Sequence, residues 1–473
     1  MLVITFHVGL STLLMLMTSR GGLLLSRISS TLMLALLPLM ILELGHWSIY
    51  ELAPTSAIYL AIFSTDFSET IEFLLSHNLH SFYLRLLGIL LISLGLYKLP
   101  LRRSPKPLMV LSLLLLPSIF FSQYLVNQTF LRMIPNYLVY SKEKANFEKR
   151  LSSFQKMDFK VRKLDRKERT VIFILGESTT RNRLSLYGYT RPTTPNLESI
   201  LNLLVFKNIQ SPHTQTFQSL KKVLTLMNSA NEKSLRQNTH ILDLAKAAGY
   251  QTFWISNQKP MGWFENAHSA IATQADEKYW LNSGMGMGGT PPHDEVILPA
   301  VDRALSQKGK SKFIVIHLMG THAHYKNRYP ESFGRFKGKL EGQLLSLSEE
   351  EQEIYNHYDN ALLYQDYVLS QIHEKLTGDF TLIYFPDHGE EVYQASRYAG
   401  HSVLKKTANM LEIPLLLVTS DTELRERASI SLNRAWNTEN FIHTLHSILK
   451  VDSSIYDQSL DLLQSNLLMT QRK

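Results

Sequence analysis

The stretch VIFILGESTTRNRLSLYGYTRP, residues 171–192, sets five apolar residues directly against Gly176 and Glu177, with a hydroxyl-rich loop behind them. A short, continuous apolar run of this kind is what a strand buried on both faces of a sheet shows. Glu177 therefore stands at a strand exit. A single acid there is ordinarily a neighbour of a helix cap or a surface charge, so its meaning depends on what the other strands deliver.

Two more such runs follow. Phe313–Ile316 leads into His317 and then Gly320-Thr321-His322, and Phe380–Phe385 leads into Asp387-His388-Gly389. Helix-period patterns lie between the runs, which predicts an α/β sheet with helices on both faces. In such sheets ligands bind beyond the carboxyl ends of the strands. A lone DHG is commonly a turn and a lone buried His a satisfied core residue. Metal-capable residues at three matching strand exits instead predict one shared site. Glu177, Asp387 and His388 supply two carboxylates and an imidazole without sulfur, a set suited to Zn2+, with Mn2+ the alternative. A fourth position stays open for a nucleophile or water. His322, and His401 in the AGHS that follows DHG, are candidates for supporting those ligands, for a second metal or for touching phosphate oxygens.

SPHTQTFQSLKKVLTLMN, residues 211–228, repeats Phe217, Leu220, Val223, Leu224 and Met227 at helical spacing, which predicts a helix beginning close to Thr216. A Thr there is ordinarily an N-cap. The same geometry also suits chemistry. Free backbone N–H groups and the positive end of the helix dipole would hold a phosphoryl group, and a metal at the hydroxyl would favour its deprotonated form. Thr216 is then a candidate covalent nucleophile, activated by metal instead of by a neighbouring histidine.

The 473 residues leave room for two or more structural units. With no cysteine, the chain has neither disulfides nor thiolate metal sites, and the cysteine count does not locate it. Residues 1–126 hold runs such as LMLALLPLMILEL and LLGILLISLGLY, and four candidate spans are read at 1–18, 28–46, 80–98 and 107–126, each near the roughly 20 residues a bilayer needs. Arg20 and Arg27 mark one connection as cytoplasmic, and Lys98, Arg102 and Arg103 another, while the 47–79 connection carries no Lys or Arg. The 47–79 connection and everything after residue 126 then lie on the far side. This places an uncharged N-terminus outside, a beginning that fits a start placed too late, with a further helix ahead of it, or an uncleaved signal anchor. The net charge of +8 is mostly local, since residues 141–169 carry 11 Lys or Arg against 5 Asp or Glu. The 127–168 segment is read as a basic linker near a lipid surface rather than a nucleic-acid binder.

GESTTRNRLSLYGYTRPTTP, the helix start at Thr216, GTH at 320–322, YDNALLYQDY at 358–367, PDHGEE and AGHS together resemble the phosphoethanolamine transferases of Gram-negative bacteria, inner-membrane members of the alkaline phosphatase and sulfatase superfamily. The resemblance covers nearly the whole chain. It implies a multi-pass α-helical transmembrane domain over 1–126, and a periplasmic sulfatase-like α/β domain over 169–473 built on a central mixed, mostly parallel sheet. It implies transfer of phosphoethanolamine from phosphatidylethanolamine to lipopolysaccharide (lipid A or core sugar) or another surface glycan, through a phosphoethanolamine-threonine intermediate. By position, Glu177, Thr216, Asp387 and His388 match the family's zinc ligands, Thr216 also its nucleophile, and His322 and His401 the histidines near the transferred phosphate. The family's T-N-x-x-E element in a membrane-domain loop corresponds to Thr65 and Glu69, with Asp66 in place of Asn. Relatives acting on lipid A commonly carry several disulfides, absent here. The wording of GEST, LSLYGY and GTH is closer to the branch that modifies core sugars such as heptose. The family typically has five spans against four here, which agrees with a truncated start.

Two rivals bear weighing. A phosphoglycerol transferase, or another phosphotransferase or hydrolase of the superfamily, would share the metal and Thr logic, whereas a sulfatase would need a Cys or Ser in a C/S-x-P-x-R setting that the sequence lacks. A non-catalytic membrane sensor would not need every ligand position filled.

Overall fold

The computed structural model describes residues 159–464 except 231–238, 259–266, 283–291, 340–345 and 404–405, together with helical positions 83–84, 87–88 and 138. Apart from those positions, the four candidate spans lie outside the described residues, as do Thr65, Glu69 and most of the basic linker. Among the described residues no helix is long and apolar enough to cross a membrane.

Seven strands form the central sheet: β1 Thr170–Gly176, β2 Leu204–Phe206, β3 Gln251–Ser256, β4 Glu277–Trp280, β5 Lys312–His317, β6 Phe380–Pro386 and β7 Leu415–Thr419. Their order is β2-β7-β6-β1-β5-β3-β4. β6, β1, β5, β3 and β4 run parallel, and β7 is antiparallel to both β6 and β2. The sheet is thus mixed and mostly parallel. β1 lies between β5 and β6, with Leu175 opposite His317 on one side and Phe385 on the other. That register brings the exits of the three apolar runs side by side. A short strand Val161–Lys163 pairs with Val451–Ser453, so the domain's packing begins ahead of residue 169.

Alternate side chains of β1 serve opposite faces, as the period of two requires. Val171, Phe173 and Leu175 pack with α1 Thr216–Val223, α2 Ile241–Ala247, α5 Thr422–Ile430 and α6 Phe441–Leu449. Ile172 and Ile174 pack with α3 Leu298–Ser306 and α4 Glu349–Glu374. Both faces are therefore covered, which explains the continuous apolar runs.

α4 accounts for the YDNALLYQDY pattern. Asp359, wholly buried, receives Arg183 (2.6 Å) on one oxygen and Arg191 (2.8 Å) on the other. The Arg183 guanidinium also lies 3.5 Å from the Tyr355 ring centroid. Tyr358 donates to the Ser178 carbonyl at 2.9 Å and accepts from Thr180 N at 3.0 Å. Asp366 accepts from the Asn196 and Leu197 N–H groups at the start of a short helix. Most of the signature loop after Glu177 is thus held to α4, and Arg183 and Arg191 are buried structural partners. Their desolvation is offset because every charge is paired and hydrogen-bonded.

Candidate metal centre and nucleophile

The exits of β1 and β6 meet around one point. The ligand-capable atoms of Glu177, Asp387 and His388 all lie within 4.8 Å of one another, and all three residues are buried. His388 Nε2 stands 3.5 Å from Glu177 Oε1 and 3.3 Å from Asp387 Oδ2. Thr216 Oγ1 donates to Glu177 Oε1 at 3.1 Å and lies 3.3 Å from His388 Nε2.

Local backbone structure sets each side chain. Ser178, just past β1, adopts φ 54°, a left-handed conformation uncommon outside glycine. Its N–H donates to Asp387 Oδ1 at 3.1 Å and its hydroxyl to Glu177 Oε1 at 3.0 Å, so the turn is fixed by the site it forms. Gly389 sits where a Cβ would meet the Asn409 carbonyl oxygen at 2.1 Å, leaving no room for a side chain after Asp387-His388. Gly320 has φ +54°, and a Cβ there would come within 2.9 Å of the Glu177 backbone. The GTH loop thereby rests on Glu177, and Thr321 donates to its carbonyl oxygen at 3.1 Å. Thr216 is the first helical residue of α1, after Gln215, whose side chain does not cap the helix. α1 ends at Val223, so Met227 lies beyond it, and Phe217 points to solvent at 39% exposure instead of into the core.

The hydrogen-bond pattern tests the fit to a cation. His388 Nδ1 donates to the Gly389 carbonyl at 2.8 Å, which leaves Nε2 with a lone pair facing the cluster. Asp387 Oδ1 accepts two backbone N–H groups, whereas buried Oδ2 has no hydrogen-bond donor. Burial, then the charge of Asp387, pushes the Glu177 carboxyl up to about 7. Burial pushes Asp387 up to about 6, and burial followed by His401 brings His388 down to about 4. Two buried carboxyls resisting ionisation beside a neutral imidazole, with one oxygen lacking a donor, fit a divalent cation, whose charge would reverse both carboxyl shifts.

A pH-dependent outcome follows. Without metal, both carboxyls titrate higher in the fold than their ordinary values of 4.5 and 3.8. The stabilisation from their bound protons is complete below those ordinary values and is lost as pH rises through the folded ones. His388 contributes with opposite sign, but only below its ordinary 6.5. Metal ligation displaces protons and strengthens with pH. Chelation is expected to lower the melting temperature more at about pH 8 than at about pH 5.5 in a thermal-shift assay, and equal shifts would contradict this electrostatic account.

Of the two histidines singled out in the sequence, His401 has its ring centroid 4.3 Å from that of His388 and its Nδ1 2.9 Å from Glu390 Oε2. Burial favours neutral His401, but Glu390, with Glu177 and Asp387 beyond it, outweighs this and raises its pKa. His322 is on the GTH loop against Glu177, with Arg328 donating to its carbonyl oxygen at 3.1 Å. Sequence reasoning passed over Gln258, which donates to Glu177 Oε2 at 3.2 Å and to the Leu318 carbonyl at 2.9 Å. It stands two residues beyond the exit of β3, where strand-exit logic applied once more would have found it.

A family description named Sulfatase matches residues 169–451. Phosphoethanolamine transferase EptC of Escherichia coli O18:K1:H7 (strain RS218 / NMEC) is 35% identical over 321 residues, covering 64% of this chain and 55% of that protein. The chain therefore spans about half the length of that curated relative. The C-terminal periplasmic domain of EcEptC from Escherichia coli, solved as a complex with Zn, is 32% identical with TM-score 0.61, covering 64% of this chain and 88% of that one. The integral membrane protein lipooligosaccharide phosphoethanolamine transferase A (EptA) from Neisseria meningitidis shares the fold at TM-score 0.67 and 17% identity, over 95% of this chain and 88% of its own. With the Sulfatase description covering more than half of its length, the chain belongs to the sulfatase family, on the branch of the phosphoethanolamine transferases.

Proposed function

We propose that this protein moves phosphoethanolamine from phosphatidylethanolamine to lipopolysaccharide, at lipid A or a core sugar, or to another surface glycan, through a covalent intermediate on Thr216. The N-terminal quarter would lie in the bacterial inner membrane as a multi-pass anchor, with residues 169–473 as the catalytic domain in the periplasm. The observation that carries the reading is the Thr216 hydroxyl, at the start of a helix and within 3.3 Å of both Glu177 Oε1 and His388 Nε2.

In the first step the Thr216 oxygen bonds phosphorus as the bond from phosphorus to the diacylglycerol oxygen breaks, and the Thr216 hydroxyl proton passes in net to that departing oxygen. In the second, the acceptor hydroxyl oxygen takes phosphorus, its proton returns in net to the Thr216 oxygen, and Thr216 is released. The first-turn N–H groups of α1 are oriented to receive phosphoryl oxygens. His401, its ring beside that of His388, would let an imidazole N–H meet the charge that develops on those oxygens, and the family resemblance assigns His322 to the same task. Glu177, Asp387 and His388 would hold Zn2+ or Mn2+, with Thr216 as fourth ligand, and the bound cation would favour the deprotonated hydroxyl and offset phosphoryl charge. Thr65 and Glu69 are assigned to the donor's ethanolamine head group.

Incubating the full chain separately with phosphatidylethanolamine and phosphatidylglycerol, followed by peptide mass analysis, tests the reading. A phosphoethanolamine adduct on Thr216 from the first lipid supports it. An adduct from phosphatidylglycerol alone would favour a phosphoglycerol transferase, and no adduct from either would leave a sensor or scaffold. Mass spectra of lipopolysaccharide from cells with and without the protein would then distinguish lipid A from core acceptors.

A further inference from the structure

Glu390, the first acid after DHG, is wholly buried two residues beyond His388. Its two oxygens are separately engaged: Oε1 accepts the Tyr325 hydroxyl at 2.9 Å, and Oε2 faces His401 Nδ1 at 2.9 Å. A carboxylate oxygen only accepts, so His401 must carry its proton on Nδ1, and the free edge of the ring is Nε2. The chain reinforces this placement. Ala399 and Gly400 pair with Val392 and Glu391, bringing the AGHS segment back alongside DHGE, and Tyr398 donates to the His401 carbonyl at 3.0 Å.

Glu390 could instead join His388 and His401 around a second cation, since their ligand-capable atoms also lie within 4.8 Å of one another. The hydrogen bonds argue against that. Both Glu390 oxygens already have donors, and His388 Nδ1 is committed to Gly389, whereas Asp387 Oδ2 in the first cluster has no donor.

We propose that Glu390 is a positioning residue: anchored by Tyr325, it holds His401 in one tautomer and one orientation, with Nε2 turned to the phosphoryl group carried over Thr216. This rests on the reading of Thr216 as nucleophile. Glu390 touches no reacting atom, and its whole contribution passes through His401.

That makes the effect separable. With phosphatidylethanolamine in detergent and the full chain, the rate of adduct formation on Thr216 is measured for wild type, H401A, E390A, E390Q and E390A/H401A. H401A is expected to slow the reaction ~100-fold, in the range for losing a positioned donor. E390A should slow it ~10- to 100-fold. E390Q, which keeps an acceptor for Nδ1–H, should recover most of that loss. The double variant should be no more than about threefold slower than H401A alone, because coupled residues are not additive. Metal content should match wild type throughout. The proposal is overturned if the two losses multiply, if E390A reacts at the wild-type rate, if E390Q is as slow as E390A, or if E390A loses metal. Should E390A not fold, Y325F frees Oε1 with the carboxylate in place. Its expected ~3- to 10-fold loss must then vanish on the H401A background. Absence of any Thr216 adduct in wild type would instead strike the functional reading itself and take this proposal with it.

Discussion

Replacing Thr216 with Ala is expected to reduce phosphoethanolamine transfer by ~10⁴-fold or more, the scale seen when a covalent nucleophile is removed, while metal content stays close to wild type. The two outcomes separate because of where the hydroxyl sits. It is the only group of the cluster at a helix start, and it shares Glu177 Oε1 with the Ser178 hydroxyl at 3.0 Å. Its loss leaves that oxygen with a donor and leaves Glu177, Asp387 and His388 in place. Thr216→Ser should keep measurable transfer, since the hydroxyl survives with only a methyl removed. Transfer by Thr216→Ala near the wild-type rate would dismiss Thr216 as nucleophile, whatever metal it retained.

The geometry around Thr216 also shows what kind of information the sequence carried. Val171–Leu175, Phe313–Ile316 and Phe380–Phe385 were readable as strands because a strand covered on both faces must be apolar at every position. The polar residues ending each run were readable as a site because parallel strands share one exit edge. β7 also runs into a polar pair, Ser420-Asp421, but it is antiparallel to β6, so that end leaves the opposite edge of the sheet, and its direction depends on register rather than composition. The helix at Thr216 began where the apolar spacing placed it. Spacing could not show, however, that Phe217 would face solvent or that Met227 would fall beyond the last turn.

Glu390 was illegible for a different reason. A buried acid is distinguished from a surface one only by its partners, and Tyr325 and His401 come from separate loops. The same holds for Arg183 and Arg191, which could pass for phosphate contacts beside a phosphoryl site. Asp359, far along the chain on α4, binds both of them away from it. Local pattern thus revealed the residues that strand ends bring into one cluster, while the residues that orient them required long-range contacts.

Asp387→Ala is expected to abolish stable metal retention and transfer together, in contrast to Thr216→Ala. Asp387 Oδ2 is the one carboxylate oxygen of the cluster without a hydrogen-bond donor, which leaves it available to a cation. Oδ1 meanwhile ties Ser178 N at 3.1 Å and His388 N at 2.7 Å. Deleting the carboxylate therefore removes a ligand and also loosens the two turns that aim Glu177 and His388. Leaving two buried N–H groups unpaired costs about 1–3 kcal/mol each. Asp387→Asn separates the two effects: its amide oxygen can still accept from Ser178 N and His388 N, but the negative charge is gone. It should fold with a melting temperature close to that of metal-free wild type and still bind Zn2+ at least ~100-fold more weakly. The measurements are metal content by elemental analysis after dialysis and thermal unfolding with and without chelator. If Asp387→Asn retained a full equivalent of metal through dialysis, Asp387 would be a structural acceptor, and the cation would have to be sought on other groups.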